Sequence, residues 1–159
     1  MKILVAYASK TGTTAKCAKM LAGYLAGADL VDLTKKTPIL DKYDLIIIGA
    51  SIRMGYIHKT AGIFINEHQQ QLLSKKIGFF FCNGFSEDMD ELIEDNLPDE
   101  VAKKAIVIDS FGGELVIEKQ KGIDRYVAKM IAKKADEQKA PLPRIYTERI
   151  KQFAVKLLA

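Results

Sequence analysis

The sequence predicts an α/β protein: a doubly wound, five-stranded parallel sheet of order 2-1-3-4-5, sandwiched between helices in three α/β/α layers. Three observations carry this. Short runs that are apolar throughout alternate with stretches of helical periodicity, the pattern of strands covered on both faces and separated by helices. Five strand-helix units fit within the 159 residues, the economy of one doubly wound domain. No repeat, low-complexity tract or Pro/Gly/Ser-rich linker interrupts them, so residues 1–159 are read as a single domain.

The elements follow in order. Residues 3–8 form a continuous apolar run, the first strand, and residues 9–14 a polar turn. Ala15, Ala18, Leu21, Ala22 and Leu25 then recur at helical spacing. Residues 30–33 make a short second strand, and the polar connection 34–42 is broken by Pro38. The third strand, residues 44–50, contains Leu45-Ile46-Ile47-Ile48. A loop at 51–58 leads into a helix running through Ile63, Phe64 and Ile65 to Leu73. Residues 76–82, rich in Phe, are the fourth strand. A short acidic helix over 87–96 is closed off by Pro98, and residues 105–108 are the fifth strand. Two helices finish the chain, at 123–136 and 147–158. The last carries Ile150, Phe153, Ala154, Leu157 and Leu158 on one face.

Composition excludes several classes. The 24 Lys and Arg against 20 Asp and Glu leave a net charge of +4, spread along the chain. That is not the concentrated basic stripe of a nucleic-acid binder. Two cysteines, Cys17 and Cys82, support neither a disulfide framework nor a zinc site, and no metal is expected. The longest apolar runs fall far below the roughly 18 residues of a membrane span. The first residues do not read as a signal peptide, so a cytoplasmic protein is expected.

In a doubly wound sheet, ligands bind beyond the carboxyl ends of the strands, near the switch point between the first and third. The loop after the first strand is Ser9-Lys10-Thr11-Gly12-Thr13-Thr14. Four of its six residues carry hydroxyls, Gly12 permits a tight backbone, and a helix starts at once. Unpaired N–H groups and the positive end of the helix dipole make such a place ready for an anion. A plain helix cap would need a single hydroxyl; four point to a phosphate. Neither G-x-x-x-x-G-K-[ST] nor G-x-G-x-x-G occurs after the first strand, so the phosphate is read as a mononucleotide's.

These residues resemble a family. Ser9-Lys10-Thr11-Gly12-Thr13-Thr14 is similar to the T/S-x-T-G-x-T phosphate loop of flavodoxins, which bind FMN. Ile48-Gly49-Ala50-Ser51-Ile52-Arg53-Met54-Gly55-Tyr56-Ile57-His58 resembles the G-A-S-I-R-x-G-x-x-H segment of the menaquinone-dependent protoporphyrinogen IX dehydrogenases, a flavodoxin-fold branch. Ile123-Asp124-Arg125-Tyr126 and Tyr146-Thr147 resemble the same branch. The chain departs from it in being shorter between the fourth and fifth strands and around residues 112–122, and from typical flavodoxins in its positive charge.

The resemblance implies a flavodoxin-like fold and FMN as cofactor. Ser9, Lys10, Thr11, Gly12, Thr13 and Thr14 would hold the phosphate. Ser51, Ile52, Arg53, Met54 and Gly55 would form one wall for the isoalloxazine ring, Asn83, Gly84 and Phe85 a second, and Phe111 with Gly112 a third. Phosphate anchoring should dominate affinity, because aromatic stacking adds only about 0.5–1.5 kcal/mol beyond area burial.

Two residues are candidates for the chemistry. The Arg53 guanidinium would stabilise a reduced, anionic flavin; its plainer role is an ion pair with a nearby carboxylate. His58 would relay a proton, and its plainer role at a helix start is a cap. Cys82 and Cys17 are read mainly as packing.

The expected function is a flavodoxin-like redox protein passing electrons through bound FMN, the alternative a quinone-dependent protoporphyrinogen IX dehydrogenase. Partners would be a redox protein or a quinone. Lys129, Lys133 and Lys134, interleaved with Tyr126, Met130 and Ile131, form a basic amphipathic helix that could touch anionic lipid as a peripheral membrane contact. Covering the sheet explains the same stripe and is the preferred reading. A phosphorylatable receiver module is excluded, since Ser9-Lys10 and Ala50-Ser51 stand where its acidic residues belong.

Overall fold

The computed structural model describes residues 1–83, 88–114, 121–138 and 143–159. Strand β1 (Ile3–Ala8) lies between β2 (Asp29–Asp32) and β3 (Leu45–Arg53), parallel to both. Strand β5 (Lys76–Cys82) pairs parallel with β3, and β6 (Val107–Ser110) with β5. The order β2-β1-β3-β5-β6 is the predicted 2-1-3-4-5. The labels shift because a two-residue strand, β4 (Tyr56–Ile57), folds back antiparallel on the end of β3.

The central strands are buried along most of their length, with Arg53 and Lys76 exposed at strand ends, because side chains alternate between two cores. Leu4, Ala6, Ile46, Ile48, Phe79 and Phe81 point to one face. Helices α2 (Lys59–Glu67), α3 (Gln69–Leu73), α4 (Met89–Asn96) and α5 (Asp99–Lys104) cover it through Phe64, Ile65, Leu72, Leu92 and Val101. Ile3, Val5, Leu45, Ile47 and Phe80 point the other way, under α1 (Thr13–Tyr24) and α7 (Thr147–Leu158). There Phe80 stacks on Phe111 at 4.6 Å between ring centroids, and Phe153 meets Phe111 edge-on at 5.1 Å. The Phe80 ring sits where a β-carbon on Gly49 would be, 2.0 Å from Cζ, so glycine in β3 is what admits the aromatic.

Several details differ from the sequence reading, each for a local reason. Strand β3 does not stop at Ala50. It runs on to Arg53 because Ile52 and Arg53 find partners in Ile57 and Tyr56. The helix expected to reach Leu73 in one piece is interrupted at His68, which ends α2 and precedes α3. Pro98 ends one helical stretch and also opens α5, a helix the sequence reading did not place; proline is tolerated at a helix start, where its missing N–H costs nothing.

The largest difference is α6 (Gly122–Glu137). Its apolar stripe was expected to cover the sheet, yet only Ala128 is buried. Ile123 is 76% exposed, Tyr126 66% and Met130 54%. The helix instead lines a cavity beside residues at the carboxyl ends of β3 and β5. No described helix is long and apolar enough to cross a membrane.

Candidate functional site

The loop leaving β1 turns on Gly12, whose φ of +98° lies in the left-handed region that glycine enters without strain. Its N–H donates to Ser9 Oγ at 3.0 Å, and its carbonyl accepts the first helical bond of α1, from Lys16 N–H at 3.0 Å. Ser9 thus shapes the turn. No side chain caps α1, and no acidic residue stands in its first turn. The partial positive charge of the helix end is therefore not neutralised from within. Thr13 and Thr14 are 7% and 1% exposed, and neither hydroxyl has a hydrogen-bond partner of ordinary geometry among the described residues. Two buried hydroxyls at a bare helix N-terminus are costly unless something arrives to pair with them.

Cys82, at the end of β5, lies beside Thr14 and Cys17. A hydrogen bond with the Cys17 thiol and, after it, burial push the Cys82 thiol well above the ordinary thiol range. Cys82 is buried at 5% exposure and also contributes to the lining of the cavity described below.

The second wall is a β-hairpin. Arg53 pairs with Tyr56 across a two-residue turn in which Met54 and Gly55 both have positive φ, +52° and +84°. That signature of the favoured two-residue hairpin turn suits glycine and is unusual for methionine. Asn96, the last residue of α4, holds the hairpin in place. Its Nδ2 donates to the carbonyls of Gly55 and Leu92 at 2.8 and 2.9 Å, and its Oδ1 accepts from Ile57 N–H at 3.0 Å.

Between loop and hairpin opens a cavity of about 230 Å³. Of the predicted site residues, Lys10, Thr11, Thr13, Thr14, Ser51, Ile52, Arg53, Met54 and Asn83 line it together. Gly113 and Glu114 add to the rim, and α6 closes one side with Ile123, Asp124, Val127, Ala128 and Ile131. The arrangement is an anion-ready helix end beside a slot whose walls are largely apolar.

Other predicted residues stand outside this lining. Phe111 is fully buried, its ring stacked in the core. Gly112 has a φ of +73°, and a β-carbon there would meet the Arg144 carbonyl at 2.2 Å, so its glycine serves a close backbone crossing. Its carbonyl accepts from Asn83 N–H at 2.9 Å. Gly84 and Phe85 lie outside the described residues. His58 caps α2, its Nδ1 accepting from Thr60 N–H at 3.2 Å. An accepting Nδ1 places the proton of the neutral ring on Nε2. Burial, and then the Lys10 charge, hold its pKa below the usual histidine value.

Arg53 takes the ion pair weighed as its plainer role: its Nη2 lies 2.8 Å from Asp124 Oδ1. The other oxygen of Asp124 is bonded to Lys10 Nζ. Lys10, followed by burial working in the opposite sense and by Arg53, sets the Asp124 carboxyl below the ordinary carboxylate range. Sequence reasoning assigned no role to Asp124 or Asn96. Each reaches the site from a distant helix; Asp124 stands in the 123–126 segment that carries part of the family resemblance, whereas nothing in its immediate sequence marks Asn96.

The fold and the cavity at the carboxyl ends of β1, β3 and β5 define a doubly wound protein with a hydroxyl-rich loop at its switch point. The flavodoxin domain model matches residues 4–141, and the chain belongs to that family. Over 88 residues it is 32% identical to the protoporphyrinogen IX dehydrogenase [quinone] of Escherichia coli (strain K12), a match covering 52% of this chain and 49% of the relative. The matched segment thus spans about half the length of that relative. Among solved structures, flavodoxin 1 of Bacillus cereus superposes with a TM-score of 0.56 at 16% identity, over 99% of this chain and 97% of its own. A flavoprotein of Lactobacillus acidophilus, in complex with FMN, gives 0.56 at 14% identity over 69% of this chain and 92% of its own. These two likenesses concern the fold.

Proposed function

We propose that the chain binds FMN at the β1–α1 loop and passes electrons through it. The observation that carries this reading is the pair of buried hydroxyls of Thr13 and Thr14 at the uncapped start of α1, neither with a hydrogen bond of regular geometry among the described residues, although Thr14 lies against the Cys82 thiol. Phosphate oxygens would satisfy both, along with the N–H groups of the first turn. Charge-assisted hydrogen bonds contribute roughly 1.5–3 kcal/mol each. The residues present fit the cofactor. Thr11, Thr13 and Thr14 would hold the phosphate, and Ser51, Ile52 and Met54 would face the ring from the hairpin side, with Asn83 at the end of β5.

Bound FMN would supply reversible uptake of one or two electrons. The chain's own part is to bind and orient. With the ring in place, the apolar lining from Ile52, Ile123, Val127 and Ile131 would be covered by it and would keep water from its faces. The Arg53 guanidinium supplies positive charge at its edge, tempered by Asp124. His58 stands outside the cavity lining, where it caps α2, and the binding reading gives it no part.

The test is colour and titration. Purified protein mixed with FMN should turn yellow and quench flavin fluorescence. Thr11→Ala with Thr13→Ala should weaken binding at least about tenfold, one lost charge-assisted bond's worth or more. Unchanged affinity would falsify the phosphate assignment.

A second reading has its own support. The relationship to the quinone-linked dehydrogenase, together with the 51–58 segment, favours a protoporphyrinogen IX dehydrogenase using a quinone. The exposed Ile123, Tyr126 and Met130 beside Lys129 and Lys133 on α6 would suit the peripheral membrane contact that a lipid-soluble quinone requires. Anaerobic mixing of FMN-loaded protein, porphyrinogen and a menaquinone analogue should then release porphyrin fluorescence above the buffer rate. A rate equal to buffer leaves the electron-carrier reading.

A further inference from the structure

The two cations of the pocket answer to one carboxylate. Asp124 stands in the first turn of α6, its side chain 19% exposed. One oxygen takes Lys10 from the loop after β1, and the other takes Arg53 from the hairpin, at 2.8 Å. Three segments far apart in sequence meet at this group. Helix α6 has little other anchorage in the described residues: Ala128 is its one buried residue, and Ile123 and Val127 remain 76% and 46% exposed although they line the cavity.

We propose that Asp124 is a positioning residue that straps α6 across the pocket through paired ion bridges to Lys10 and Arg53, so that a bound cofactor leaves only when both bridges open. The choice of ligand rests on the FMN reading above; the strapping of α6 does not. The group is suited to the role. A carboxylate partly withdrawn from water is screened less than a surface ion, and each oxygen is committed to a different wall of the site. The same bridges engage the only cationic side chains lining the pocket among the described residues. Phosphate anchoring then falls to the threonine hydroxyls and the helix end, and the cations serve closure.

The experiment compares wild type, Asp124→Asn and Asp124→Glu. Release of FMN is followed by the recovery of flavin fluorescence after dilution. Amide hydrogen exchange over residues 123–131 is followed in the cofactor-free protein. The Asn variant should release FMN about tenfold faster, the effect of losing two modest ion pairs, and Glu should restore part of the difference. Salt should accelerate release from wild type and leave the Asn variant nearly unaffected, a response that a purely structural role would not produce. Exchange over 123–131 should quicken in the Asn variant while β1 and β3 stay protected. Equal release rates with equal salt responses, or unchanged exchange over 123–131, would overturn the proposal. If wild type stays colourless with FMN, the cofactor reading fails, and the exchange measurement alone decides whether Asp124 straps the helix.

Discussion

Asn96 and Gly55, 41 residues apart, are joined by a hydrogen bond of 2.8 Å from the Asn96 amide to the Gly55 carbonyl. The same side chain accepts from Ile57 N–H, so one amide at the end of α4 grips both sides of the hairpin turn. A turn with two residues at positive φ has few ways to satisfy its own backbone; Asn96 supplies the partners.

Asn96→Ala should therefore cost about 1–3 kcal/mol, the range for leaving half-buried backbone groups unpaired. Urea denaturation checks the stability. Amide exchange at Ile57 should show the hairpin loosening before the sheet does. Asn96→Asp keeps the acceptor for Ile57 and loses the donor to Gly55, so it should fall between.

Thr14→Val should separate stability from binding. The hydroxyl is buried with no regular partner, so its removal at nearly constant shape should leave cofactor-free stability unchanged or raised by up to about 1 kcal/mol. FMN affinity should drop about tenfold or more, because a bond to a charged oxygen is lost. Thermal denaturation without cofactor and fluorescence titration with it give the two numbers. A parallel loss in both would mean that the hydroxyl supports the fold.

Gly49→Ala is expected to be among the most damaging single-methyl additions to the chain. The new carbon would fall 2.0 Å from Phe80 Cζ, in a core where Phe80 is stacked on Phe111 and cannot swing aside. Overpacking typically costs about 1–3 kcal/mol, and the closeness of this contact places Gly49→Ala at the upper end of that range. Chemical denaturation measures it, and pairing the change with Phe80→Leu should recover part of the loss.

His58 makes stability depend on pH with a definite sign. Its folded pKa lies below the unfolded value of about 6.5, owing to burial and then to Lys10. The unfolded chain therefore takes up the proton first. The contribution of His58 is fully present above the unfolded pKa and is lost as pH falls through the folded one. Protonation also removes the Nδ1 lone pair that accepts from Thr60 N–H. Denaturation midpoints at pH 8, 6 and 5 should fall more steeply for wild type than for His58→Asn, which can cap α2 without titrating.

By itself the sequence determined the layered sheet, its strand order and the anion-ready loop, because those follow from local rules. Apolar runs in β1, β3 and β5 can be buried on both faces only in such a sandwich, and Ser9 to Thr14 form a contiguous turn whose hydroxyls and glycine are read at a glance. The hairpin after β3 was hidden because Met54 does not advertise a positive φ; the turn is imposed by pairing across it and by Asn96. The placement of α6 was equally invisible. Its apolar residues have the spacing of a sheet-covering helix, and the same spacing serves a helix that closes a pocket. Only the tertiary structure decided between them, and only there do Lys10, Arg53 and Asp124 meet. Ion pairs between residues as far apart as Lys10 and Asp124, separated by 114 positions, depend on where the chain has travelled, and short-range patterning carries no record of that.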